Sequence, residues 1–363
     1  MNSNKYCVIM AGGTGTRFWP LSTKSKPKQF LDILGTGRTL LQQTFDRMVR
    51  VCPPENVFIV TNEIYKDIVS EQLPELDDHQ ILLEPNKKNT APCIAYANYK
   101  IERLNPNANI VVSPSDHLIQ KEDEFVQVIN QGLEFTEKND ALLTLGIKPH
   151  RPETGYGYIQ RNNNVDVPDN DNIFKVKTFT EKPNYELARK FFESGEYYWN
   201  SGIFLWSLKS IMSAFSKYLP EIDDLFKQGK QLYHTGEEQD FISKVYFETN
   251  SISIDYGIME KSENVYVFTS DFGWADLGTW GSLQEFLDTD EKGNSVNGDH
   301  VMLYDVEDSI INFPGDKLVV IKGLKDYIVV ESDNKLIIYN KNDEQEIKEV
   351  VEEIKKTKGE DYI

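Results

Sequence analysis

The sequence predicts an α/β fold: a Rossmann-like, doubly wound and mostly parallel sheet carrying an inserted lobe, followed by a small C-terminal β domain. Three observations predict it. Up to residue 147, short apolar runs alternate with amphipathic helical patterns. The middle of the chain then loses that alternation and fills with turn residues and aromatics. Past residue 290 it changes again, to short β-branched runs separated by Asn, Asp and Gly.

In chain order, strands are predicted over 6–11, 57–61, 80–84, 110–113 and 142–147, and helices over 39–51, 64–73, 90–104 and 123–137. Strands joined through helices pair in parallel. The irregular middle holds TGYGYI (154–159), FTEKP (179–183), WNSGIFLW (199–206) and SIDYGIME (253–260), which we read as an inserted lobe. The later runs VMLYDV, SIINF, KLVVIKG, YIVVES and KLIIYN suggest a β domain with a coiled or solenoid-like path. The closing EQEIKEVVEEIKK reads as an amphipathic helix with a solvated charged face, a partner-binding helix being the alternative. The expected boundaries are 1–289 for the larger domain and 290–363 for the smaller, since one core stops growing near ~250 to 300 residues.

Composition narrows the class. A hydrophobic content of 39% with 27% charged residues is that of a globular protein, and no run approaches the ~20 apolar residues of a membrane span. The opening MNSNK leads into a strand without a targeting segment, so the cytoplasm is the expected location. Cys7, Cys52 and Cys93 are odd in number and lack CxxC spacing, which points to reduced core residues. A net charge of −19 opposes binding to nucleic acid or to an anionic membrane, so any anion must be captured locally.

The clearest local exception is AGGTGTRFWPLSTKSKPKQF, residues 11–30. It follows a strand, offers Gly12, Gly13 and Gly15 for close backbone approach, and then places Arg17, Lys24, Lys26 and Lys28 among prolines, a composition suited to a polyphosphate. A P-loop needs Lys-Ser or Lys-Thr after its last glycine, and Thr16-Arg17 stands there instead. The dinucleotide fingerprint needs a third glycine opening a helix, where Pro20 and Pro27 keep the chain extended.

In a doubly wound sheet, ligands sit beyond the carboxyl ends of the strands, and EPNKKNTAP and SPSDH share that edge with the glycine loop. Asp116 in SPSDH and Asp276 in WADLGTW could hold Mg²⁺, which keeps few protein ligands and fills its shell with phosphate oxygens and water. Either alone is more often a turn residue or helix cap. His117 is structural on this view. Lys182 in FTEKP could anchor a phosphate, with Glu181 accepting from sugar hydroxyls; an exposed ion pair is the plainer alternative. Asn200 in WNSG and Asp255 in SIDYG add polar groups beside aromatics.

Taken together, GGTGTRFWP with PKQF, EPNKKNTAP, SPSDH, TGYGY, FTEKP, WNSGIF, SIDYGIME and WADLGTW resemble the sugar-1-phosphate nucleotidyltransferases. The blocks run in family order from residue 8 to about 280, and PKQF, EP…NTAP and SPSDH favour the guanylyl branch that acts on mannose 1-phosphate. One departure is Lys88, where that branch often has arginine, so planar bidentate hydrogen bonding is lost there. Many bacterial relatives also carry a cupin-like isomerase domain, for which the residues after 290 are too few. A single activity is therefore expected, with the short β domain serving packing or oligomer contacts, a homodimer first among the forms.

The resemblance implies GTP and mannose 1-phosphate as substrates, Mg²⁺ as cofactor, and an inserted lobe that binds the sugar. It assigns Gly12, Gly13, Gly15, Pro85, Asn86 and Ser113 to the nucleotide, and Gly155, Glu181, Lys182, Asn200 and Asp255 to the sugar phosphate. Arg17, Lys28, Asp116, Lys182 and Asp276 would carry the catalytic charge, Asp116 and Asp276 through the metal. Transfer would proceed by in-line attack without a covalent enzyme intermediate. Another hexose 1-phosphate or another NTP is the nearest alternative, and a silent GDP-mannose sensor the remotest, since all the charged residues are present.

Overall fold

The computed structural model describes residues 4–13, 16–168 and 170–363. The chain packs as two compact units that interleave along the sequence. The first takes residues up to Gly12, Thr44–Ser115 and Ile119–Trp274; the second takes Gly13–Gln43, Asp116–Leu118 and Ala275–Ile363.

The first unit is built on a nine-stranded sheet. Its strands are β1 (Lys5–Met10), β2 (Val57–Asn62), β3 (Ile81–Glu84), β4 (Asn109–Pro114), β6 (Leu142–Ile147), β7 (Tyr158–Arg161), β8 (Ile173–Thr180), β9 (Tyr197–Ser207) and β10 (Val265–Ser270), in the order β3-β2-β1-β4-β9-β6-β10-β8-β7. Two-residue strands β5 (Leu118–Ile119) and β11 (Trp274–Ala275) complete the series to residue 275. The early strands form where predicted because they are buried throughout, as β2 and β6 illustrate, and two-sided burial suits parallel pairing. β1 pairs in parallel with both β2 and β4, with Tyr6 opposite Ile110 and Met10 opposite Pro114.

Helices α1 (Leu40–Met48), α2 (Lys66–Gln72), α3 (Thr90–Leu104) and α4 (Glu122–Lys138) also match the sequence pattern. Asn89 caps α3 by accepting from Thr90 N, and Glu122, Asp123 and Glu124 complement the positive end of α4. The buried face of α3 shares one core with Tyr6 and Val8 of β1 and Ile110 and Val112 of β4. The pairing of β1 with strands on both sides creates a topological switch beside β4, where Gly12 follows β1 and Ser113 lies near the end of β4.

The sheet is mixed. β9 runs antiparallel between β4 and β6, and β8 is antiparallel to both β10 and β7. The segment read as an inserted lobe therefore hydrogen-bonds into the main sheet through β7, β8 and β9. Helices α5 (Tyr185–Ser194), α6 (Leu208–Tyr218), α7 (Pro220–Lys227) and α8 (Glu238–Glu248) follow in the same half of the chain.

The second unit contains helix α9 (Trp280–Gln284) and strands β12 (Ser295–Asn297), β13 (Val301–Tyr304), β14 (Ile310–Asn312), β15 (Val319–Lys322), β16 (Tyr327–Ser332) and β17 (Lys335–Asn340). β12, β14 and β16 stack in parallel, as do β13 and β15, and β17 closes a hairpin on β16. Asp305, Asp308, Asp326 and Asp333 take left-handed backbone at the turns, a conformation Asp tolerates better than most residues. The chain ends with α10 (Ile347–Lys358). Its Ile347 and Val351 enter a core with Phe18, Trp19, Leu40, Trp280 and Ile310. Cys7, Cys52 and Cys93 are buried and free, and among the described residues no helix is long and apolar enough to cross a membrane.

Candidate functional site

In the first unit, the carboxyl ends of β1, β3 and β4 converge. Ala11 N donates to Val60 O at 2.8 Å, and Ser115 N donates to Met10 O at 3.0 Å, fixing where the chain leaves β1 and β4. Glu84 ends β3. Its Oε1 accepts from the Tyr246 hydroxyl at 2.8 Å, while a Cβ added to Gly12 would stand 3.4 Å from its Oε2. Burial pushes the Glu84 carboxyl up to about 7, against the opposing pull of Tyr246 and Lys87. Pro85 and the exposed Asn86 follow in the turn, and Ser113 is buried with Oγ donating to Pro114 O at 3.0 Å.

The EPNKKNTAP and SIDYG blocks lock together. Ile252 N donates to Lys88 O at 3.3 Å, Ala91 N to Ile252 O at 3.1 Å, and Ile254 N to Thr90 Oγ1 at 2.8 Å. Lys88 thus contributes a main-chain contact whatever its side chain does.

A second cluster in the same unit gathers Gly157, Glu181, Lys182, Asn200 and Asp255. Asn200 is fixed at both ends: Oδ1 accepts from Thr144 Oγ1 at 2.8 Å, and Nδ2 donates to Asp255 Oδ1 at 2.8 Å. Asp255 opens a π-helical turn, Asp255–Met259, a distortion often found at functional sites. Burial and then the neighbouring Glu181 charge push the Asp255 carboxyl up to about 7, although Asn200 and Lys182 oppose this. Lys182 Nζ donates to Glu181 Oε1 at 2.5 Å, and Glu181 Oε2 is buried without a hydrogen-bond partner among the described residues. Lys182 adopts φ 46, a left-handed conformation that costs a long side chain energy and clusters at ligand clamps.

Gly157 packs against this cluster, since a Cβ there would overlap Glu181 Oε2 and lie 3.2 Å from Asn200 Cβ. Gly155 is exposed and donates through its N–H to Glu153 Oε1 at 2.9 Å, outside these contacts.

In the second unit, Lys28 is buried and joins three groups. Its Nζ lies 3.0 Å from Asp116 Oδ2 and donates to Asp276 O at 2.6 Å and Leu277 O at 3.0 Å. Burial alone would raise the Asp116 carboxyl, but the Lys28 ammonium and His117 outweigh it and hold the group below its ordinary range. Asp276 Oδ1 accepts from Gly278 N at 3.0 Å. An ionised Asp116 and the carboxylate of Asp276, whose main-chain carbonyl accepts from the same lysine, are hard oxygen donors of the kind Mg²⁺ takes. Among the described residues no group of three or more His, Cys, Asp or Glu is assembled for a metal.

Arg17 Nη1 donates to Gly278 O at 3.4 Å, and Gln29 Nε2 to Gly13 O at 2.9 Å. Gly15 lies outside the described residues. Neither Glu84, the last residue of a predicted strand, nor Gly157, which shares a motif with Gly155, is among the site residues the sequence predicts.

A family model described as nucleotidyl transferase matches residues 6–293. The chain is 37% identical over 361 residues to a mannose-1-phosphate guanylyltransferase of Escherichia coli, covering 98% of this chain and 76% of the relative. It is 38% identical over 362 residues to the protein of that name in Escherichia coli strain K12, covering 97% and 74%. A solved structure from Thermus thermophilus, described as mannose-1-phosphate geranyltransferase, superposes with a TM-score of 0.85 at 28% identity, covering 97% of this chain and 99% of that one. A glycine-led strand edge, a lysine bound to the Asp116 carboxylate and to the main chain of Asp276, and a Lys–Glu–Asn–Asp cluster thus occur on a fold shared over almost the whole chain. The chain belongs to the nucleotidyl transferase family, as a mannose-1-phosphate guanylyltransferase-like nucleotidyltransferase.

Proposed function

We propose that the chain transfers GMP from GTP to α-D-mannose 1-phosphate, giving GDP-mannose and pyrophosphate. The observation that carries this reading is the near full-length likeness to relatives of that activity. A sugar-phosphate oxygen attacks the α-phosphorus of GTP in line; the new P–O bond forms as the bond to the pyrophosphate oxygen breaks. The attacking phosphate is already ionised, so no protein nucleophile or strong base is needed, and catalysis rests on positioning and charge.

Gly12, Gly13 and Gly15 let main-chain N–H groups approach the phosphates, and Arg17 and Lys28 offset their charge. Lys182 holds the phosphate of mannose 1-phosphate, while Glu181, Asn200 and Asp255 take sugar hydroxyls, with 154–159 lining the site. Asp116 and Asp276 would hold Mg²⁺, which when bound stabilises charge on the phosphoryl oxygens. We read 290–363 as a short β-helix-like domain ending in a helix, and 1–289 as the nucleotidyltransferase domain whose β7–β9 region serves the sugar.

Pro85, Asn86 and Ser113 border the base, and Glu84 supplies what they lack, a carboxylate able to accept from the N1–H and N2 amino group of guanine. Only the ionised form accepts both, and its pKa is about 7. KM for GTP is therefore expected to fall as pH rises from 6 to 8, and Glu84→Gln to flatten that trend and cost GTP ~10-fold or more in kcat/KM, about one charged hydrogen bond. An unchanged pH profile in Glu84→Gln would remove the assignment.

Gly157→Ala is expected to displace the Glu181 carboxylate and raise KM for mannose 1-phosphate ~10-fold, leaving KM for GTP unaltered. Parallel changes in both constants would argue for a general distortion instead. The direct test of the whole reading is incubation with GTP, Mg²⁺ and mannose 1-phosphate, scoring GDP-mannose against ATP, UTP and dTTP and against other hexose 1-phosphates. Failure to form GDP-mannose overturns it.

A further inference from the structure

We propose that Arg17 and Lys348 form a pyrophosphate clamp in the second unit, with the C-terminal helix supplying one of its two cations. The inference rests on the reading of the chain as a GDP-mannose-forming enzyme and adds a residue to that site.

The geometry comes from packing. Ile347 and Val351 of α10 enter the same buried cluster as Phe18 and Trp19, and Trp19 Nε1 donates to Tyr362 O at 2.7 Å. The helix is thereby fixed on the turn Thr16–Phe18 that presents Arg17. Lys348 follows Ile347, and Arg17 precedes Phe18, so two cations from distant parts of the chain stand near one another. Partial burial and then the Arg17 charge push the Lys348 ammonium below its ordinary pKa.

Neither cation is neutralised among the described residues. Arg17 makes one long hydrogen bond, to a carbonyl, and its buried Nε has no partner among them. Lys348 forms no ion pair with any described carboxylate. In a chain with 58 acidic and 39 basic residues, carboxylates are plentiful, yet no described one meets this pair. Adjacent like charges repel, and a bound polyanion would relieve that repulsion while accepting from both. A guanidinium fork and a separate ammonium suit a ligand with two phosphoryl groups, and pyrophosphate is the one this reaction releases.

The test uses the full chain, and Lys348 is exposed enough to replace without loss of fold, which a melting curve checks. Calorimetric titration with inorganic pyrophosphate is expected to show about tenfold weaker binding in Lys348→Ala, weaker still in Lys348→Glu, and near-wild-type binding in Lys348→Arg. In pyrophosphorolysis of GDP-mannose, KM for pyrophosphate should rise in step while KM for GDP-mannose stays constant. Pyrophosphate affinity within twofold of wild type in both Lys348→Ala and Lys348→Glu overturns the clamp, as do equal rises in both KM values or no binding to the wild type. If pyrophosphate binds through Lys348 but no GDP-mannose is made or cleaved, the enzyme reading falls and the clamp stands.

Discussion

Lys28→Ala is expected to lower GDP-mannose formation by at least ~10²-fold, the effect of losing one preorganised charge contact at a transferring phosphate. The structure adds a second consequence. Lys28 is only 5% exposed and holds Asp116 together with two main-chain carbonyls, so its removal takes the ammonium from the Asp116 carboxylate and the donor from both carbonyls. Breaking a buried pair costs about 3–5 kcal/mol, and the low end applies because the Asp116 side chain is 32% exposed.

Asp116→Asn separates the two roles, since it removes the charge and keeps the shape. Turnover should fall as far as in Lys28→Ala, with a smaller drop in melting temperature. The native Asp116 pKa lies below its unfolded value, so its stabilisation is present above pH ~4 and is lost as pH falls through the folded pKa. The acid limb of the stability curve should flatten in Asp116→Asn. Wild-type melting and turnover in Lys28→Ala would remove both roles.

Asp255→Asn should act in opposite directions on activity and stability. Loss of the anionic acceptor is expected to reduce kcat/KM for mannose 1-phosphate by ~10²-fold. The folded pKa is raised to about 7, so the favourable contribution of Asp255 is complete at pH below ~4 and is lost as pH rises through 7. At pH 8 the wild type therefore carries a strained anion beside Glu181, which the amide avoids while still accepting from Asn200. The variant should be more stable at pH 8 by about 1–2 kcal/mol, a figure discounted for solvent at this half-buried position, and no more stable at pH 4. A lower melting temperature at pH 8 would mean that Lys182 already offsets the charge. Such a trade is common where a site stores electrostatic strain.

Much of the sheet could be read from the sequence because β1, β2, β4 and β6 are buried on both sides, and continuous apolar runs mark such strands. β9 escaped because Asn200 and Ser201 interrupt its apolar run while the strand still passes antiparallel through the centre of the sheet. β12 escaped because its three residues, SVN, carry no period. Among site residues, Lys182 and Asp116 stood out as charges at strand ends. Whether a charge is paired or orphaned is decided by tertiary packing: in sequence Lys28 is one of several loop cations, and only the fold gives it three partners. Lys348 was hidden more completely, in a run of alternating charges that reads as a solvated helix face.

The core that joins Phe18 and Trp19 to Ile347 and Val351 also sets an order of events during synthesis. The glycine-and-lysine stretch leaves the ribosome long before Ile347 and Val351, which pack in one core with its aromatics. Contacts of such long sequence separation form late, and apolar surface awaiting a partner invites association in the interval. The nascent chain therefore carries Phe18 and Trp19 without Ile347 and Val351 until that helix has been made. Release of the Tyr362 carbonyl to the Trp19 indole would mark the end of that interval.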